Sequence, residues 1–184
     1  MESNTNYSKY SLKFFLALAL CLLVRLLPFR APNIEPILAT TMPMSKAFGA
    51  LAGFSFAVLS ILLYDLATHT VGMQTLFTAG AYGALGLYAT SYFKNKKGKV
   101  IDYVSFAIIG TLFFDVVTGL TVGPIFFHQS IVASIVGQIP FTALHLLGNV
   151  VFAAVLSPGI YHFLIKKREK PKEIFIKTLN PKII

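Results

Sequence analysis

The stretch "PFTALHLLGNVVFAAVLSPGIYHFLI", residues 140–165, contains no lysine, arginine, aspartate or glutamate. As a helix it is long enough to cross a hydrocarbon layer about 30 Å thick. Just upstream and within it, Gln138, Thr142, His145 and Asn149 recur at spacings of four, three and four. At about 100° per residue these positions return to nearly the same side of a helix, so a segment otherwise suited to lipid carries one wet stripe.

Composition puts the rest of the chain in the same solvent. Of 184 residues, 55% are hydrophobic and 12% charged, and the mean hydropathy is +0.71. That is far more apolar than an ordinary soluble domain and marks an integral membrane protein. Apolar stretches of spanning or near-spanning length occupy residues 12–27, 47–64, 73–93 and 100–118, besides 140–165, and a shorter candidate lies at 34–44. Short breaks rich in Pro, Gly or Lys separate them. The chain thus reads as all-α, a single transmembrane domain over residues 1–184 built as a bundle of six spans. Residues 124–138 are apolar too, but the run from there to 165 is too long for one crossing. The part before Pro140 is expected to be a short helix or loop folded over the outer mouth.

Lysine and arginine placement sets the orientation, because cytoplasmic loops near spans collect them. Six spans put the N-terminal segment 1–11, the Lys46 turn, "KNKKGK" at 94–99 and "KKREKPK" at 166–172 on one side, which is the cytoplasm. Both termini then lie there, with residues 166–184 as a basic tail, and the protein is a multi-pass protein of the cell membrane. The formal net charge of +9 is accounted for by this topology and by attraction to anionic lipid in the bilayer; no nucleic acid is implied. Lys9 and Lys13 precede an apolar run in the manner of a secretory signal, but no small-x-small cleavage site follows at "CLLVRLLPF", so an uncleaved first span is expected. The single cysteine, Cys21, excludes an intrachain disulfide.

Lipid penalises the remaining polar residues unless they face the protein interior or a water-filled cavity. Asp65 closes the third span in "LLYDLATH", and Asp115 sits near the end of the fifth in "TLFFDVVTG". Thr111, Asp115 and Thr118 give the fifth span a polar edge, and Gln74 with Thr78 begins one in the fourth. By the assigned topology these edges and the stripe on the last span converge on the outer half of the bundle, which points to a pocket open to the outside. Each residue also has a plainer role. Asp65 and Asp115 could cap helix ends, His145 and Asn149 could be interhelical hydrogen-bond glue, Arg25 could snorkel, and His69 and His128 could be loop residues. Gly49 and Gly53, then Gly80, Gly83 and Gly86, supply small residues for close helix packing, and Ala17 with Cys21 a weaker pair.

No G-x-S-x-G, H-E-x-x-H or Walker A sequence is present, so no enzymatic activity is expected, and any ATP hydrolysis must belong to partner subunits. Asp65 and His69, with Asp115 and His128, leave a metal-ion carrier as an alternative. Neither a resident metal nor another cofactor is expected.

The stretch "RLLPFRAPNIEPILA" from Arg25 to Ala39, the "LLYDL" that ends span three, "FFDVVTG" in span five and "GQIPFTALHLLGNVVFAAVLSPGIY" resemble the substrate-binding S components of energy-coupling factor (ECF) type ABC transporters. The resemblance covers most of the chain in length, span number and placement of these blocks. It implies capture of a vitamin or related micronutrient from outside and uptake together with a transmembrane coupling protein and two cytoplasmic ATPases. Carried over residue by residue, it points to Asn33 and Glu35 in the first loop, Gln74 in span four, Asp115 in span five, His128 beside the outer loop, and His145 with Asn149 in the last span. The stripe adds Gln138. Tyr82 and Phe127 are the expected stacking surfaces for a small substrate, and a first loop stiffened by Pro28, Pro32 and Pro36 forms part of the lid. The rival class is an assembly or scaffold subunit that binds no solute.

Overall fold

A computed structural model describes residues 2–29 and 33–165 as six helices: α1 Glu2–Arg25, α2 Ile37–Phe48, α3 Ala50–Ala67, α4 Met73–Phe93, α5 Val100–Phe126 and α6 Ile131–Ile165. The basic tail 166–184, Arg30 and Pro32 lie outside the described residues. Three helices, α3, α5 and α6, are long and apolar enough to cross a membrane. The bundle buries an apolar core together with several polar groups and leaves many large apolar side chains on its surface. Arg25, Thr111, Asp115, His145 and Asn149 are buried, while Leu20, Leu23, Ile101, Val116, Ile139, Leu147 and Val155 are exposed. A surface of that kind suits a lipid solvent, because polar groups are satisfied only by turning inward.

At the centre stands α2. Its twelve residues give a helix about 18 Å long, and ten of them, from Ile37 to Ser45 together with Ala47, are buried. Two of its three buried hydroxyls are hydrogen-bonded, while Thr41 Oγ1 is buried without a partner. The Thr40 hydroxyl donates to the Pro36 carbonyl at 3.0 Å, and the Ser45 hydroxyl reaches both the Thr41 carbonyl at 2.9 Å and the Gly86 carbonyl of α4 at 2.8 Å. From α6, the Ser157 hydroxyl donates to the Ala39 carbonyl at 2.7 Å. The chain leaves α2 through Gly49, whose φ of 93° and ψ of −176° would strain a residue with a Cβ, and turns directly into α3.

Helix packing uses only part of the expected glycine set. Gly53 of α3 and Gly86 of α4 bring two backbones together: a Cβ on Gly86 would lie 2.6 Å from the Gly53 carbonyl carbon and oxygen. Gly83 packs against Phe54 and Val58, whereas a Cβ added to Gly49 or Gly80 would meet nothing within 4 Å. The G-x-x-x-G of α3 therefore contributes through Gly53, and Gly49 serves the turn.

The short helix or loop expected to fold over the outer mouth, residues 124–138, is instead the end of α5, a turn at 127–130 and the first two turns of α6. Helix α5 continues through Pro124 to Phe126, and α6 starts at Ile131 and runs unbroken through Pro140 and Pro158 to Ile165. A proline removes only its own N–H and crowds the carbonyl four residues back, a local cost that neighbouring helices in a bundle absorb. Pro140 is moreover exposed on the outside of the helix. At about 40 Å and about 52 Å, α5 and α6 outrun the other helices and pair with each other at that end. Gly119 accommodates the Gln138 amide there, and Phe126 meets Phe77 of α4 edge-on at 5.5 Å.

Lysines gather at the opposite end and cap helix C-termini there. Lys46 donates to the Lys96 carbonyl at 2.6 Å and lies over the Tyr161 ring at 5.0 Å; Lys13 donates to the Phe163 and Leu164 carbonyls at 2.8 and 2.6 Å. Cations at those carbonyls complement the partial negative charge of a helix C-terminus.

Candidate functional site

A cavity of about 330 Å3 opens at the end of the bundle away from these lysines. Every helix or its adjoining loop contributes to the wall: Arg25 from α1, Asn33 and Glu35 before α2, and Ile61 and Asp65 from α3. Thr70 precedes α4, which adds Gln74, Thr78 and Tyr82; Phe114 and Thr118 come from α5, and Phe141 and His145 from α6.

A chain of hydrogen bonds crosses the floor of this cavity. Arg25 Nε donates to Glu35 Oε2 at 3.0 Å, its Nη1 donates to the Ser60 carbonyl, and its guanidinium lies 3.9 Å from the centre of the Tyr64 ring. The Tyr82 hydroxyl, fully buried, donates to Glu35 Oε1 at 3.0 Å and lies 3.2 Å from His145 Nε2. Behind it, His145 Nδ1 is 2.7 Å from Asp115 Oδ1, both side chains being 2% exposed. Tyr82 has one proton to give. When it gives that proton to Glu35, His145 Nε2 must be the donor to the tyrosine oxygen, and the His145–Asp115 pair then holds the proton between Nδ1 and Oδ1. Taken whole, Arg25, Glu35, His145 and Asp115 form a neutral set, which is the way buried charge is made tolerable in a low-dielectric interior.

Aromatic rings frame the same floor. Tyr82 and Phe114 sit 4.3 Å apart, and Phe114 and Phe141 both approach the His145 ring edge-on, at 5.4 and 5.7 Å. Such a combination of apolar faces with a few fixed polar groups is what small-molecule sites commonly present.

Of the residues singled out from sequence, Asn33, Glu35, Gln74 and His145 line the cavity. Asp115 and Asn149 do not; they sit one layer behind it. Asp115 orients His145, and Asn149 Nδ2 donates to Thr111 Oγ1 at 2.8 Å, joining α6 to α5. Asp115 Oδ2 and Asn149 Oδ1 are buried without a hydrogen-bond partner. Gln138 lies half-buried against Gly119, away from the cavity wall. His128 is exposed in the turn after α5, with a φ of 51°. Phe127 is 67% exposed and lies outside the cavity wall, whereas Tyr82 belongs to the wall but is fully buried, its ring packed against Phe114.

Asp65 and Arg25 carry more of the site than their plainer roles suggest. Arg25 does not snorkel: it is 6% exposed and held on three sides. The end of α3 is capped without any help from the Asp65 side chain. The Thr70 N–H donates to the Asp65 carbonyl and the His69 N–H to the Leu66 carbonyl, with His69 in the left-handed conformation. That leaves the Asp65 carboxylate to face the cavity, where Oδ2 accepts the Thr75 hydroxyl at 2.6 Å. Thr75→Val is expected to cost about 1–2 kcal/mol in chemical or thermal unfolding, because it removes this bond and the acceptor of the Gly72 N–H together. Among the described residues no group of three His, Cys, Asp or Glu side chains is placed to hold a metal ion.

A family model described as a family of unknown function, DUF6580, matches residues 5–173. No curated protein and no solved structure matches the chain.

Proposed function

We propose that this chain, which belongs to that family of unknown function, is a substrate-capture membrane subunit for uptake of a vitamin or related micronutrient. In this reading six helices cross the cell membrane, both termini are cytoplasmic, and the cavity faces outward. It acts as an S component of an energy-coupling factor transporter, with a transmembrane coupling protein and two ATPases supplying the energy; the chain itself catalyses nothing. The observation that carries the reading is the cavity at the end remote from the lysines, with an aromatic-framed floor held rigid by the Arg25–Glu35–Tyr82–His145–Asp115 chain. Rigid, internally neutral polar groups around an accessible space are preorganised for a ligand. Release requires a second state that binds the ligand less well, and α1 with the segment carrying Glu35 is the part whose movement would open the floor.

The test is thermal unfolding of the detergent-solubilised protein against a panel of vitamins and nucleobases. A ligand present at about 100 times its Kd stabilises the folded state by about 2.7 kcal/mol, a shift of several degrees. Glu35→Gln is expected to abolish that shift. Uptake in a host supplied with the coupling protein and ATPases should exceed uptake in one lacking them. If no compound in the panel stabilises the protein, the capture reading is wrong.

The pairing of Asp115 with His145 and of Asn149 with Thr111 across α5 and α6 favours a second reading, in which polar stripes serve assembly alone. A scaffold subunit would retain membrane partners in a pull-down and bind no solute.

A further inference from the structure

The charge balance of the cavity specifies the kind of solute it takes, an inference that rests on the capture reading above. Arg25 is committed to Glu35, the Ser60 carbonyl and the Tyr64 ring, and His145 is committed to Asp115 and Tyr82. Asp65 stands apart. Among the described residues its side chain is hydrogen-bonded to the Thr75 hydroxyl, and no cationic side chain forms an ion pair with it. Among the described residues, the cavity therefore presents one carboxylate without a counter-charge, on a wall shared with Thr70, Gln74 and Thr78.

We infer that the solute carries a positively charged nitrogen, as an ammonium, an amidinium or a cationic ring nitrogen, and that Asp65 is its counter-ion. A solute bearing a carboxylate or phosphate would face Asp65 and Glu35 with no uncommitted cation among the described lining residues, since Arg25 could turn to it only by abandoning Glu35. Water is partly excluded from the cavity, so both the attraction for a cation and the penalty for an anion exceed their values in bulk solvent. The half-buried Phe141 ring on the wall acts in the same direction where a solute meets its face, because an aromatic face attracts a cation. Without the structure, two acids and one arginine near the pocket are compatible with a cationic, zwitterionic or neutral ligand; the engagement of Arg25 removes the zwitterion's anionic anchor.

Benzamidinium, benzamide and benzoate are nearly isosteric probes that differ in charge. Their affinities for the full-length protein, for Asp65→Asn and for Asp65→Glu are to be compared by thermal stabilisation and native mass spectrometry. Benzamidinium is expected to bind wild type about ten- to a hundredfold more tightly than benzamide, the factor a charge-assisted hydrogen bond supplies. Benzoate should not bind. Asp65→Asn should bring the benzamidinium-to-benzamide ratio close to one, and Asp65→Glu should keep most of it. The ratio within one variant is the readout, so a general loss of folding does not imitate the result. Equal or tighter binding of benzamide or benzoate by wild type, or an unchanged ratio in Asp65→Asn, overturns the charge assignment and leaves solute capture standing. If neither these probes nor any vitamin or nucleobase binds, solute capture fails and this inference with it.

Discussion

Asp115→Leu and His145→Leu are each expected to destabilise the bundle by about 3–5 kcal/mol, and the double replacement is expected to recover most of that loss. The two side chains are 2% exposed and 2.7 Å apart. Removing one partner leaves the other buried without its counterpart, whereas replacing both with leucine of similar volume removes the desolvation penalty as well as the attraction. Replacing Asn149 with leucine gives a contrast on the same helix. Its single bond to Thr111 joins neutral groups, and its Oδ1 has no partner. Neutral hydrogen bonds between membrane helices are worth about 1 kcal/mol, and the substitution also removes a buried orphan acceptor, so a loss below about 2 kcal/mol is expected. Unfolding in detergent by heat or denaturant measures all four variants. The double variant should be well folded and fail to bind any solute, since His145 forms part of the cavity wall. Single replacements costing less than about 1 kcal/mol would mean that Asp115 and His145 are not joined as described.

The sequence carries the helical segments and the convergence of their polar edges on one end, but it does not carry partners. Spacing shows that Thr111, Asp115 and Thr118 share a face, and that His145 and Asn149 share another; it does not show that the two faces meet and satisfy each other one layer behind a cavity. Hence, in sequence, Asp115 and Asn149 are indistinguishable from ligand contacts, and Arg25 from a snorkelling cation. The ion pair of Arg25 with Glu35 spans a proline-bearing loop whose course no periodicity encodes. Asp65 illustrates the same limit: an acid at the end of an apolar run is usually a helix-end residue, and only the backbone capping by Thr70 and His69 leaves its carboxylate for another purpose.

Helix α2 is hard to read in sequence, because residues 34–44 are short for a span and carry hydroxyls, and nothing in their pattern shows that neighbours surround them. Burial on all sides is possible since Thr40 and Ser45 donate to carbonyls one turn back, a local satisfaction invisible to hydropathy. The prolines mislead in the opposite direction. Pro140 and Pro124 are strong punctuation in soluble proteins, yet in α5 and α6 tertiary packing holds the helix through them.

Glycine substitutions in α4 should separate packing from propensity on a single helix. A Cβ on Gly86 would lie 2.6 Å from the carbonyl carbon and oxygen of Gly53 and 2.8 Å from the Phe54 nitrogen, all backbone atoms that move only if α3 moves. The displacement would also pull the Gly86 carbonyl from the Ser45 hydroxyl of α2, breaking the junction of three helices. Overpacking and one lost buried hydrogen bond together predict a loss of about 3 kcal/mol for Gly86→Ala. At Gly83 the obstacles are the Phe54 ring and a Val58 methyl, at 2.8 and 3.0 Å, side-chain atoms that can yield, so Gly83→Ala should cost about 1 kcal/mol. Nothing lies within 4 Å of the corresponding point on Gly80, and Gly80→Ala should stabilise α4 by about 0.5–1 kcal/mol through helix propensity alone. The sign change along one helix, read as unfolding temperatures in the same detergent, is what the geometry demands. If all three substitutions stabilised the protein, α3 and α4 could not approach each other through Gly53 and Gly86.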